Sequence, residues 1–258
     1  MTQLLALAGF GFLLGMRHAT DADHVIAVTT ILNRSRRFLD TTLIGALWGL
    51  GHTITVVIVG VLVIGFNVVI PPPVGLAMEF AVALMLIGLG ILNLSGGLRS
   101  LTERLTPPAP MHSHDHAHAG SHGAHAHLHG HGSDERLAGG GVVATFGWYQ
   151  LVRPVAVGLV HGLAGSAAVA LLVLATIQDT GTALAYLVIF CIGVAAGMAI
   201  LTTVIGLPFM LSSTKSVEIN RWLTIGSGVL SLAFGLLLAY EIGIVGGLFT
   251  GDFNWQPA

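Results

Sequence analysis

Residues 8–32 read AGFGFLLGMRHATDADHVIAVTTIL. The run is long enough to cross the hydrocarbon core of a bilayer as a helix, which takes about 20 apolar residues. Its middle, however, carries five ionisable side chains within residues 17–24. Each central Arg or Asp costs about 2.5–3.5 kcal/mol on insertion, so the three in this stretch cost on the order of 8–10 kcal/mol. A helix that is only an anchor would not carry them, and the stretch therefore predicts a functional site inside a membrane.

The composition of the whole chain extends this prediction. Of 258 residues, 54% are hydrophobic and 9% are charged, whereas a soluble domain carries about 25% charged residues. Apolar runs long enough to span recur throughout, which excludes a soluble core. The sequence predicts an all-α polytopic membrane bundle of about six transmembrane helices. The predicted spans lie near residues 8–32, 42–66, 75–97, 154–177, 183–211 and 222–247.

The two halves of the chain resemble each other. GMRH at 15–18 matches GLVH at 158–161, GH at 51–52 matches GM at 197–198, and GLGILNL at 88–94 matches GSGVLSL at 226–232. Each half has three spans, an odd number, so the second half must insert upside down, as in many secondary transporters. We predict a 3+3 inverted repeat, with a first repeat at 1–100, a loop at 101–150 and a second repeat at 151–258. The alternative is glycine spacing that serves helix packing alone.

The distribution of basic residues predicts the orientation. Lys and Arg cluster after the first and fifth spans and around the middle loop, and the other two links and the C-terminal tail have none. Because basic residues stay on the cytoplasmic side, both termini should face outward from the cell (inner) membrane and the middle loop inward.

The first span offers several metal ligands. On a continuous helix, His18, Asp21 and His24 share one face, while Asp23 points roughly opposite and could orient a neighbouring ligand. The alternative interpretation is that Arg17 and Asp21, at i and i+4, pair, and that the histidines are hydrogen-bonded in the bundle interior.

Two further spans add donors. His52 lies in the second span and His161 in the fourth, where it aligns with His18. Met198, which aligns with His52, is either a soft thioether ligand or an ordinary core side chain. Imidazole and carboxylate suit nickel, cobalt, copper and zinc, and the single cysteine excludes a thiolate cluster within one chain. The candidate metal residues are His18, Asp21, Asp23, His24, His52, His161 and Met198.

The remaining nine of the thirteen histidines lie in residues 112–131. Prolines precede this tract and three glycines follow it, so we predict a disordered cytoplasmic loop. Its imidazoles would bind divalent metals with little selectivity. The alternative is a solvated linker whose charge changes near pH 6.5.

Two motifs carry a resemblance to a known family. HATDADH at 18–24 resembles the signature of the nickel/cobalt transporter family, a His and, after four intervening residues, Asp-His within a membrane helix. LGHT at 50–53 resembles that family's second motif. The resemblance implies a metal permease in which His18, Asp21, Asp23, His24 and His52 form or line the ion site. Long members have eight spans, so this chain is similar to a shorter, six-span branch.

We expect a secondary permease that takes up Ni²⁺ or Co²⁺. The only lysine, Lys215, does not belong to a nucleotide-binding Gly-rich loop, so the chain is not expected to hydrolyse nucleotides or to act as an enzyme. The expected partners are the metal ion and the lipid bilayer, with a cytoplasmic metallochaperone as a candidate, no prosthetic group and no nucleic acid.

Three alternatives remain open at this level. One is efflux of nickel or cobalt by the same fold. Another is a zinc-dependent intramembrane hydrolase, in which His18, His24 and His161 hold the ion and Asp21 or Asp23 is the general base. The third is a metal sensor or scaffold that binds through the loop. The sequence leaves the oligomeric state undetermined, because Gly45 and Gly49 fit contacts within a chain or between chains.

Overall fold

The structure is a computed structural model that describes residues 2–32, 38–66, 70–97, 100, 111–116, 125–130, 148–162, 176–177, 179–215 and 217–255. Its contacts divide the chain into one compact unit of residues Met1–Leu98 and Arg153–Ala258 and a second of Arg99–Val152. The helices are α1 (Thr2–His18), α2 (Ala22–Leu32), α3 (Phe38–Phe66), α4 (Pro72–Leu94), α5 (Trp148–His161), α6 (Thr180–Lys215) and α7 (Val217–Tyr240), which continues into a π-helical turn at Glu241–Val245.

Among the described residues, four segments are long and apolar enough to cross a membrane, namely Thr41–Phe66, Pro72–Leu94, Thr180–Pro208 and Glu218–Val245. They confirm the second, third, fifth and sixth predicted spans. Less than half of each apolar segment is buried inside the protein, whereas the four histidine side chains of the helices are buried. This is the arrangement expected of a bundle surrounded by lipid. The predicted fourth span begins in α5 and continues into residues 163–175, which lie outside the described residues.

The first predicted span is not one continuous helix. α1 ends at His18 with two tight turns, in which Thr20 N–H donates to the Arg17 carbonyl (2.9 Å) and Asp21 N–H to that of His18 (3.1 Å). The Thr20 hydroxyl also donates to the Arg17 carbonyl (2.6 Å), so the side chain competes for the backbone group that would continue the helix. α2 begins only at Ala22, so the helical-wheel positions predicted for Asp21, Asp23 and His24 on one continuous helix do not apply.

The helix directions show that the two halves are inverted. α1 runs parallel to α6, α6 runs antiparallel to α3, and α3 runs parallel to α5. α1 and α5, the equivalent helices of the two halves, therefore run in opposite directions. The contacts that establish this are Gly11 with Tyr186 and Gly15 with Phe190 (α1 and α6), Gly49 with Ala195 and Gly206 with Thr41 (α3 and α6), and Gly158 with Trp48 and Gly162 with Thr55 (α5 and α3).

Equivalent glycine contacts in the two halves show how α1 aligns with α5. A methyl group added to Gly15 would lie 2.2 Å from the carbonyl oxygen of Phe190, and one added to Gly158 would lie 2.2 Å from that of Trp48. The predicted match of residues 15–18 with 158–161 is therefore confirmed. The same contacts place Phe190 of α6 and Trp48 of α3 at corresponding positions in the two halves.

The predicted alignments of the other two helices are wrong. A methyl group on Gly51 would lie 2.2 Å from the Val155 carbonyl, and the same contact in the other half is made by Gly193 with Phe12, at 2.3 Å. Gly51 is thus equivalent to Gly193, one helical turn before Gly197, which makes Val194 and not Met198 the counterpart of His52. In α4 and α7, Gly90 is likewise equivalent to Gly235 and not to Gly228, because each packs against the backbone of the other helix. Several glycines per helix permit more than one alignment by sequence, and the contacts select one.

α6 begins at a capping residue outside the membrane segments. Asp179 accepts hydrogen bonds from the Thr182 hydroxyl (2.6 Å) and backbone N–H (2.7 Å). These bonds lower the pKa of the exposed Asp179 carboxyl, since they favour its charged form. The charge also suits the N-terminal end of the helix dipole.

The second unit contains a two-stranded antiparallel hairpin, β1 (Met111–His116) and β2 (His125–Gly130). Its register places His112 opposite His129, His114 opposite His127 and His116 opposite His125. The structure differs here from the predicted disorder, because histidines alternate with other residues at the period of two that a strand requires. The other residues between 101 and 147 lie outside the described part of the chain, and the predicted domain limits stay predictions.

Candidate metal centre

Four histidines from four helices meet inside the bundle. His18 ends α1, His24 lies in the first turn of α2, His52 lies in the middle of α3 and His161 ends α5. Their side chains are buried, with relative exposures of 5%, 0%, 1% and 0%. The ring centroids of His24 lie 4.8 Å from His18, 5.3 Å from His52 and 4.1 Å from His161. The helix break between α1 and α2 permits this, because it brings His24 back toward His18.

His18 is held from both sides. Its Nδ1 lies 2.9 Å from the Oδ2 of Asp21, and its Nε2 lies 3.0 Å from the Nε2 of His52. An ionised carboxylate can only accept, so Nδ1 of His18 carries the proton. In the neutral ring the Nε2 of His18 then accepts from the Nε2–H of His52.

Asp23 joins the two halves of the protein. Its Oδ1 accepts from the Nδ1 of His24 (3.2 Å), and its Oδ2 accepts from the Nε2 of His161 (2.9 Å). The prediction that Asp23 points away from the other ligands is thus wrong, because the turn before α2 rotates it into the cluster.

These hydrogen bonds assign the free nitrogens. A neutral imidazole that donates through one nitrogen carries a lone pair on the other, and His24, His52 and His161 each have one ring nitrogen engaged in these bonds. The other nitrogens are His24 Nε2, His52 Nδ1 and His161 Nδ1, and all three are buried without a hydrogen-bond partner among the described residues. Ligand atoms of His18, His24 and His52 lie within 4.8 Å of one another, as do those of Asp23, His24 and His161. The first group can present three imidazole nitrogens to one cation, and the second can present two imidazoles and a carboxylate; His24 belongs to both.

Two residues of the sequence analysis lie elsewhere. Arg17 is exposed, and Asp21 bonds to His18, so the Arg17–Asp21 pairing is not what the structure shows. Met198 is fully buried in α6 and packs against Gly45 and Gly49 of α3. Its role as a ligand stays a prediction. The same contacts show that Gly45 and Gly49 serve packing within the chain.

Two residues were missed by sequence reasoning. Trp48 stacks on His24, with centroids 6.2 Å apart and an interplanar angle of 16°. Its signal is a tryptophan one helical turn before His52. Glu79 is the sole ionisable residue in α4 and accepts a hydrogen bond from the Trp255 indole (2.9 Å). A lone carboxylate within an apolar span is itself a signal of function.

Fold and geometry together define a class: a polytopic helical membrane protein whose interior gathers imidazoles and carboxylates of the kind that bind divalent transition metals. Comparison with known proteins identifies the family within this class. The model of the NicO family, described as "High-affinity nickel-transport protein", matches residues 4–245. The chain belongs to this family, which confirms the resemblance seen in the two histidine motifs. It is a membrane permease for a metal ion.

One curated relative is similar along nearly its whole length. It is the "Urease accessory protein UreH" of Bacillus sp. (strain TB-90), which is 34% identical over 246 residues, covering 95% of this chain and 96% of the relative. No solved structure matches the chain.

Proposed function

We propose that this chain is a secondary permease that takes up Ni²⁺, with Co²⁺ as a second substrate, through the cluster of His18, His24, His52 and His161. The observation that carries the proposal is the set of three buried imidazole nitrogens that hold lone pairs and have no partner among the described residues. Leaving a buried polar atom unpaired costs about 1–3 kcal/mol each. A divalent ion with a preference for imidazole offsets that cost by coordination.

In this proposal the carboxylates orient the ligands. Asp23 fixes the rings of His24 and His161, and Asp21 fixes that of His18, as carboxylates commonly do for metal-bound histidines. The Nε2 of His18 is engaged by His52. It can join the ion only when His52 turns or moves its proton to Nδ1. Coordination by His18 is therefore coupled to a change in the orientation or the tautomer of the His52 ring.

Two observations support uptake. The family is described by high-affinity nickel transport, and the relative is named for an accessory role to urease. A permease that supplies an enzyme inside the cell must import. The membrane potential supplies about 2.3 kcal/mol per charge per 100 mV, or about twice that for a divalent ion, in the inward direction.

The inverted repeat supports a carrier mechanism. The cluster lies where α1 and α2 of the first half meet α5 of the second, so relative movement of the halves would change access to it. The histidine tract between the halves, cytoplasmic by the charge rule, would receive the ion and pass it to a metallochaperone. Measuring nickel loss from cells that carry the gene distinguishes uptake from efflux, the reverse direction of transport.

The test is uptake of radioactive nickel by purified protein in liposomes with an inside-negative potential. His24→Ala and His161→Ala should each lose nearly all uptake, because each removes a lone pair from the centre. Deletion of residues 112–131 is the matched control, since it removes nine histidines outside the bundle and should leave substantial flux. Wild-type rates in both single variants would overturn the proposed site. Faster loss of nickel from cells that carry the gene would overturn uptake.

A further inference from the structure

Trp48 has a donor that nothing in the described part of the chain accepts. The side chain is fully buried, and its Nε1 has no hydrogen-bond partner there. An indole N–H can only donate, and buried donors are almost always paired. An unpaired donor at this depth therefore calls for an acceptor other than the residues that the structure describes.

The ring lies directly on the proposed ion ligands. Besides stacking on His24, it meets His161 edge to face, with centroids 5.5 Å apart and an interplanar angle of 65°. A methyl group on Gly158 would lie 2.9 Å from the Trp48 Cδ1, which is bonded to Nε1. The edge that carries the N–H thus faces α5, the helix of His161.

The equivalent position in the other half separates the role of the ring from that of the N–H. Phe190 is the counterpart of Trp48 and lies beside His18, the counterpart of His161, at 5.9 Å between centroids. Both halves therefore place an aromatic ring against the histidine that ends the first helix. Only the ring beside His161 carries a donor, so packing explains the ring and leaves the N–H unexplained.

The ion itself cannot be the acceptor, because an N–H repels a cation. The free nitrogens of His24 and His161 have lone pairs, but the proposed function uses them for the ion. Transition-metal ions bound by few protein donors keep water in the remaining positions. We infer that Trp48 is a positioning residue that donates its N–H to a water ligand retained by the transported ion. The inference rests on the proposed function and implies that the ion crosses the centre incompletely dehydrated.

The test is Ni²⁺ binding by the purified full-length chain, measured by titration calorimetry and by X-ray absorption at the nickel edge. Trp48→Phe keeps the ring and removes the donor. We expect about a tenfold weaker Kd, which corresponds to about 1.4 kcal/mol for one hydrogen bond. We also expect an altered oxygen shell with an unchanged nitrogen shell, a change that lost packing alone would not produce. Trp222→Phe, at a 67% exposed position, is the matched control and should change neither.

A third variant separates this inference from the proposed function. His24→Ala should abolish high-affinity binding; if it does while Trp48→Phe matches wild type in Kd and spectrum, only the role of Trp48 is overturned. If His24→Ala binds like wild type, the proposed site fails. Should Trp48→Phe not fold, the wild-type chain provides the readout. Ultraviolet resonance Raman should then show an indole N–H vibration moving toward its hydrogen-bonded position on addition of Ni²⁺, and a spectrum unchanged by Ni²⁺ would overturn the inference.

Discussion

Asp23 connects the histidines of the two halves, because each of its carboxylate oxygens accepts from a different ring. Asp21, two residues earlier, contacts one ring only. The two acidic residues of the motif are therefore not equivalent. Asp23 orients one donor from each repeat, whereas Asp21 orients a donor that His52 already holds.

Replacing Asp23 by Asn should weaken nickel binding by about 10–100-fold, the usual effect of losing a carboxylate that orients a metal-bound histidine. The amide has one acceptor oxygen and presents an N–H group to the other ring, so either His24 or His161 loses its orientation. The measurement is the Kd for Ni²⁺ together with the KM for uptake. Asp21→Asn is the matched control and should have the smaller effect. A larger effect at Asp21 would contradict the assignment.

The helices of this bundle pack most closely at glycines. At Gly15 and Gly158, the equivalent sites of α1 and α5, the neighbouring backbone approaches so closely that a methyl group would lie 2.2 Å from a carbonyl oxygen. Side chains with a Cβ cannot occupy such crossings without separating the helices. Other glycines of the bundle, such as Gly9 in α1 and Gly88 in α4, have open space around them. Glycine content alone thus does not identify the crossings.

Gly15→Ala and Gly158→Ala should each destabilise the protein strongly, since the clash is with backbone that cannot rotate away. The expected result is a marked fall in the melting temperature of the detergent-solubilised protein, with loss of monodisperse material. Gly9→Ala and Gly88→Ala should leave the melting temperature unchanged or slightly raised, because Ala favours helix over Gly by about 1 kcal/mol. Equal behaviour of the two pairs would show that the crossings are not where the structure has them.

At the scale of the whole molecule, the unit of Met1–Leu98 and Arg153–Ala258 has a repeated helical frame around an asymmetric centre. The frame repeats: α1 on α6 is matched by α5 on α3, with equivalent glycines at the contacts. The ligands do not. By the alignment of Gly15 with Gly158, the positions equivalent to Asp21, Asp23 and His24 are Ala164, Ser166 and Ala167. The first half thus supplies both carboxylates, and the second half contributes His161.

The orientation of this frame in the membrane can be tested by cysteine labelling. With Cys191 replaced by Ser, we expect Thr2→Cys to react with a membrane-impermeant maleimide in intact cells and Ser121→Cys to react only after the cells are opened. The reason is that the basic residues flank the middle loop, which should therefore be cytoplasmic. The reverse labelling pattern would invert the predicted topology and, with it, the direction in which the membrane potential drives the ion.

The membrane class and the family could be read from the sequence, and a candidate site could be predicted, because charge within an apolar span is too costly to occur without use. His18, Asp21, Asp23, His24, His52 and His161 were predicted as candidate ligands on this ground. The positions of Asp23 and His24 could not be predicted, because the helical wheel assumed one continuous helix. The helix is interrupted by a turn at residues 19–21, where the Thr20 hydroxyl bonds to the Arg17 carbonyl. The predicted alignment of His52 with Met198 was wrong for a different reason: repeated glycines allow several alignments of the two helices.

The sequence alone determined which ionisable groups lie within apolar spans, since composition and spacing are properties of the chain and the cost of insertion depends on little else. Only the tertiary structure decided which nitrogen of each ring is free and which aromatic ring lies on it. Those depend on contacts between helices that are as much as 138 residues apart, as for Asp23 and His161. Such contacts are set by where backbones can approach, which no local pattern records.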